Sequence, residues 1–123
     1  GLVPDSGSGY FLPRLVSMAK AFELCSMGTK VNAAEAAKLG LINKVAEEGK
    51  LDDAVKHYTD YFASAPTKSI GFIKKMLNKS ATSSLEEMLE YEAYLQQTAG
   101  DTHDHKEGVQ AFLEKRKPVF IGK

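Results

Sequence analysis

The stretch GLVPDSGSGYFLPRLV sets a carboxylate, Asp5, directly before a glycine turn and the start of a helix. A carboxylate at such a bend can act as general base or acid, provided its site is partly dry and a substrate proton lies within hydrogen-bond reach. Aspartate is also a favoured helix N-cap, so Asp5 can equally do no more than accept from the free N–H groups of the helix that follows. Glycines after a strand let backbone approach a ligand closely, and a helix start offers N–H donors at the positive end of its dipole. The turn is not a P-loop, since no Gly-Lys-Ser/Thr follows. Gly7-Ser8-Gly9 lacks the third glycine of a dinucleotide fingerprint, and the spacing of a nucleophile elbow is missing.

A second candidate is FLEKRKP, where Lys115, Arg116 and Lys117 cluster at the end of the last helix. Cations there complement the helix dipole and sit well in water. The same cluster can clamp phosphate through charge-assisted hydrogen bonds. His103 and His105 flank Asp104, but two histidines in a helix cap are ordinarily solvated, and no metal site is expected. His57 falls on a polar helix face. Cys25 stands on an apolar face near Phe22 without a histidine close in sequence, which favours a packed thiol over a nucleophile. Glu92 lies on an apolar stripe, either at its edge or paired in an interface, and pairing is the favoured reading. Tyr91 and Tyr94 read as packing residues at the rim of that stripe.

The elements that must position these groups are almost all helical. The 123 residues suffice for one domain with a modest core. Lys plus Arg equals Asp plus Glu at 16 each, so no broad field draws in nucleic acid or an anionic membrane. No apolar run approaches the ~18 residues of a membrane span, and no signal-peptide pattern appears. A single cysteine forms no internal disulfide and is compatible with a reducing compartment.

About six helices are predicted, with one or two short strands. YFLPRLV reads as a short helix with Pro13 in its first turn. Ser17 caps MAKAFELCSM, which Gly28 closes. Asn32 with Glu35 opens the next helix, and Gly40 stops it. LINKV is the clearest strand candidate after the opening GLV. From Leu51 the positions Ala54, Val55, Tyr58, Phe62 and Ala65 share one helical face. Pro66 suits the first position of a further helix with Ile70, Ile73, Met76 and Leu77 on one side. Ser84 with Glu87 forms a capping box, and Asp104 with Glu107 reads as another. KPVFIGK is an extended tail. Amphipathic helices of this kind must bury their stripes, either in a self-contained bundle or against a missing half or further copies.

Four segments in order, GLVPDSGSGYFLPRLV, VNAAEAAKLGLINKV, APTKSIGFIKKMLNKS and DHKEGVQAFLEKRKPVF, resemble the enoyl-CoA hydratase/isomerase (crotonase) superfamily. The resemblance runs along the whole chain but corresponds to about the second half of a typical member. It implies a mainly α piece: residues 1–50 as the end of the crotonase β/α spiral with its active-site turn, and 51–123 as the helical oligomerisation and CoA-contacting region. It places the start of the chain inside the family's core. The first half would then supply the two backbone N–H groups that hold the thioester oxygen and one catalytic acid of the hydratases, leaving the 123 residues inactive alone.

Members resembling ring-epoxide and dienoyl-CoA isomerases carry aspartate where classical hydratases have glycine, and GLVPD followed by YFLPRLV is most similar to the phenylacetate-pathway isomerase branch. The resemblance implies Asp5 as the catalytic proton carrier, with Pro4 and Gly7 against the substrate. Ser8 departs from the adjacent glycines the family tends to show. Lys115 matches a lysine that reaches a CoA phosphate, and Phe112 an aromatic near the adenine. Gln96 stands where some members present an aromatic. The expected enzyme is cytoplasmic, a homotrimer or hexamer that needs no metal or redox cofactor and works on acyl-CoA. Two other readings stay open: a hydratase in which Asp5 is not essential, and a non-catalytic helical assembly module.

Overall fold

The computed structural model describes Gly1–Lys123 and divides into two compact units, Gly1–Leu51 and Asp52–Lys123. The first unit holds α1 (Ser8–Leu15), α2 (Met18–Met27) and α3 (Ala33–Lys38), with α1 packed on α2. Val16 is extended and breaks α1 from α2. Ser17 then caps α2, its side chain accepting from the Lys20 amide at 3.2 Å. Gly28 ends α2 in the left-handed region, at φ 59°. Asn32 caps α3 by accepting from the Glu35 amide at 2.9 Å. At its far end Leu41 N–H donates to the Ala36 carbonyl and Gly40 N–H to that of Ala37, the double closure that needs the positive φ of Gly40 (79°).

Two expectations for this unit are corrected. α1 begins at Ser8, so Pro13 lies inside it rather than in its first turn, and the Gly9 carbonyl loses its i+4 donor. The structure contains seven helices and no strand. Neither GLV nor LINKV forms one, because a strand exists only through hydrogen bonds to a neighbour, and neither segment meets a second extended segment in this chain.

The second unit holds α4 (Leu51–Ser64) from its second residue on, α5 (Thr67–Ser80), α6 (Leu85–Gly100) and α7 (His103–Glu114); α6 packs on both α5 and α7. Pro66 is the N-cap of α5, one position before the expected place. Ser84 and Glu87 form the full reciprocal capping box at the start of α6. The expected box at Asp104 and Glu107 is not one: Thr102 caps α7, accepting from the His105 amide at 3.1 Å. The two carboxylates are instead committed to the tail.

Little of the apolar surface is covered. The buried apolar residues are Ala21, Ala65, Met88, Leu95 and Ala111, and neither α4 nor α5 buries any residue. The stripe predicted for α4 forms as a helix, yet Leu51, Val55, Tyr58 and Phe62 all stay exposed. The accessible surface is 9954 Å² for 13.4 kDa. A folded monomer of that mass exposes roughly 6,500 Å², and two equal independent units together roughly 7,800 Å². The apolar faces of these helices are therefore left largely uncovered within the chain.

Candidate functional site

In the first unit the turn that carries Asp5 is built from two consecutive left-handed residues, Ser6 at φ 53° and Gly7 at φ 84°. The Ser8 amide closes it by donating to the Asp5 carbonyl at 3.0 Å, and the Ser8 hydroxyl donates to the same carbonyl at 2.6 Å. Positive φ at both central positions is the type I′ pattern. It costs glycine nothing and serine about 1–2 kcal/mol. Gly7 is further required because a Cβ there would lie 2.9 Å from the Phe11 ring. Gly9, by contrast, faces open space. Ser8 thus serves the turn through a hydroxyl that a glycine would lack.

This geometry removes the capping role for Asp5. The N-cap of α1 is Gly7, and no side chain caps the helix. The Asp5 carboxylate is exposed and accepts only from the neighbouring Ser6 hydroxyl, at 3.0 Å. No cation pairs with it. Arg14, the nearest arginine in sequence, lies over the Tyr10 ring at 3.6 Å and donates to the Tyr10 carbonyl. Pro4 and Ser8 line a concavity of about 350 Å³ whose wall includes Leu12, Leu24, Cys25 and Leu41. Cys25 is half-buried there, in keeping with a packed thiol.

In the second unit α5, α6, α7 and Phe120 of the tail enclose an apolar groove of about 990 Å³. Phe112 lies on its wall, 82% exposed. Gln96 and Glu92 also line it, and Glu92 is exposed with no partner, so the pairing expected for it is not made within this chain. Tyr91 and Tyr94 stack at 6.2 Å, with the Lys79 ammonium 5.4 Å from the Tyr91 ring centre. Lys115 follows α7 as a left-handed residue, φ 55° and ψ 36°, with its side chain in solvent. A lysine in this conformation costs about 1–2 kcal/mol relative to glycine.

The basic cluster is not uniform. Arg116 is not free for phosphate: its guanidinium donates to Glu107 at 2.6 and 2.9 Å and to Glu114 at 2.6 Å. Hydrogen bonds from Arg116, then the Val119 amide at 2.8 Å, hold the Glu107 carboxyl down to about 2. Gln110 and then Arg116 lower that of Glu114. Asp104, 2% exposed, accepts from the amides of Ile121 and Gly122, each at 2.8 Å. Burial pushes its carboxyl up, but these two donors together with His103 outweigh it, and the net shift is downward. The Asp104 amide donates to the Lys123 carbonyl at 3.0 Å. This clamp was not legible as such, because an Asp and a Glu three residues apart at a helix start carry the same signal as a cap. No group of three or more His, Cys, Asp or Glu side chains stands together as a metal site. No helix is long and apolar enough to cross a membrane.

The chain belongs to the enoyl-CoA hydratase/isomerase family, whose model matches residues 1–123. It is 37% identical over its whole length to the 1,2-epoxyphenylacetyl-CoA isomerase of Escherichia coli (strain K12), of which it covers 47%. It is 34% identical to the trans-2-decenoyl-[acyl-carrier-protein] isomerase of Streptococcus mutans, again over all of this chain and 47% of the relative. Among solved structures it superposes with a TM-score of 0.93 on the enoyl-CoA hydratase of Bacillus anthracis (28% identity, 100% of this chain and 48% of that one). On the enoyl-CoA hydratase of Polaromonas sp. JS666 the TM-score is 0.87 (33% identity, 98% and 47%). The chain thus spans about half the length of the curated relatives it matches.

Proposed function

We propose that these residues form the C-terminal half of an acyl-CoA thioester isomerase in which Asp5 moves the proton. The observation that carries this reading is the state of Asp5: a carboxylate at a hydrogen-bonded turn, not used as a helix cap and not neutralised by a cation. The relatives named as isomerases support the same choice. In the proposed step the Asp5 carboxylate takes a proton from the acyl chain. The freed electron pair moves toward the thioester carbonyl and gives an enolate, and the resulting carboxylic acid returns the proton at another carbon. The double bond shifts, or a ring opens and rearranges, with no net change in atoms or charge. The enolate oxygen is held by N–H groups from the half of the family fold outside these residues. Phe112 and Lys115 meet the nucleotide end of CoA, and Pro4 and Gly7 border the acyl end. The uncovered apolar faces pack against that other half and against further copies in a trimer or hexamer, in a cytoplasmic enzyme.

The test is Asp5→Asn in the intact protein. The isomerase reading expects kcat to fall by at least about 10². If most activity survives, and the product is the hydrated thioester, the protein is a hydratase in which Asp5 is a bystander. If the intact protein assembles but turns over no CoA thioester, it is a non-catalytic assembly module.

A further inference from the structure

The end of α7 presents a strained residue whose two flanks are both fixed. Before Lys115 the helix is closed by its own backbone: the Lys115 amide donates to the Phe112 carbonyl at 3.2 Å and the Arg116 amide to that of Ala111 at 3.0 Å. After it, the Arg116 guanidinium spans Glu107 and Glu114, one carboxylate on the helix face and one beside the turn. Glu107 also takes the Val119 amide, and Asp104, three residues earlier and so on the same face, takes those of Ile121 and Gly122. The same double closure ends α3 with a glycine, Gly40; here a lysine takes the left-handed place, and a non-glycine residue keeps such a conformation where its surroundings over-determine it, most often at active sites and ligand clamps. The side chain carried there is that of Lys115. It is exposed, it makes none of these bonds, and it stands three residues after the protruding Phe112.

We propose that Glu107 and Arg116 are positioning residues for ligand binding: their ion pair holds the left-handed turn that presents Lys115 beside Phe112 to the nucleotide end of a CoA thioester. The inference rests on the CoA reading above and adds to it a cause for the geometry. Neither residue touches the ligand in this account. Arg116 is needed as arginine, because only a planar fork reaches both carboxylates at once.

The experiment compares two substrates of the intact protein, an acyl-CoA and the same acyl group on N-acetylcysteamine, which lacks the nucleotide. Glu107→Gln is expected to raise KM for the acyl-CoA about tenfold, to leave kcat within about twofold, and to leave KM for the truncated thioester unchanged. Lys115→Ala is expected to show the same selective rise, and adding Glu107→Gln to it should change KM no further. If Lys115→Ala leaves KM for the acyl-CoA unchanged, the CoA reading and the inference fall together. If Lys115→Ala raises it and Glu107→Gln does not, the positioning role alone is overturned. Equal rises for both substrates, or a fall in kcat, overturn it in favour of a purely structural pair. Should Glu107→Gln not fold, Arg116→Gln breaks the same pair from its more exposed side, with the same expected split and the same refuting outcomes.

Discussion

Gly122 lies at φ 74°, and a Cβ built there would meet the Thr67 hydroxyl at 2.6 Å. Gly122→Ala therefore adds two penalties of different origin. The left-handed conformation costs alanine about 1–2 kcal/mol. The overlap costs about 1–3 kcal/mol more, because a β-branched threonine that rotates away only exchanges its hydroxyl for its methyl. The tail has a cheaper response than unfolding the unit: it can lift off Asp104. The total of about 2–5 kcal/mol then appears as local opening rather than as a change in melting temperature. The assay is amide hydrogen exchange at Ile121 and Gly122, whose N–H groups Asp104 accepts. A loss of protection of at least about 30-fold is expected. Thr67→Ala removes the hydroxyl and leaves the next nearest atom at 4.0 Å, so the double variant should recover the overlap part and keep the conformational part. Unchanged protection in Gly122→Ala, or no recovery in the double variant, would refute the docking geometry.

The tail clamp also has an acid limit. Both carboxyls are depressed on folding, so the stability they add is complete above their ordinary pKa values and is lost as pH falls through the folded ones; for Glu107 that window runs from 4.5 down to about 2. A chemical-shift titration of the Val119 amide should give a midpoint near the lower figure, and one near 4.5 would contradict the Arg116 pairing. Lys115→Gly should raise stability by about 1 kcal/mol by relieving the left-handed turn, while KM for an acyl-CoA rises; urea titration and kinetics on one preparation would read both. Leu95→Ala, at one of the few buried apolar positions, should cost about 2–5 kcal/mol in the same titration, and a cost under 1 would mean that α6 is not the spine of the second unit.

The helix boundaries were the most legible part of the fold because their signals are local. Ser17, Asn32 and Ser84 reach donors only three residues on, and Gly28 and Gly40 supply a conformation that few other residues accept. Local reading failed where the partner was distant. Asp104 bonds amides 17 and 18 residues away, and Glu107 one 12 residues away, so their cap-like spacing concealed a tertiary role. The strands failed for a related reason: LINKV has strand-like residues, but pairing is not a property of one segment. The turn at Asp5 was half legible. Gly7 announced a bend, whereas the positive φ of Ser6, which decides that the carboxylate does not cap α1, has no signature in a serine.

The way Asp104 is satisfied has a bearing on proteolysis. A cleavage after Phe120 that carried off the remaining residues would take both main-chain donors from the Asp104 carboxylate and open it to water. Loss of Ile121 and Gly122 would thus show up as a loosened start of α7 rather than as a harmless heterogeneity in mass.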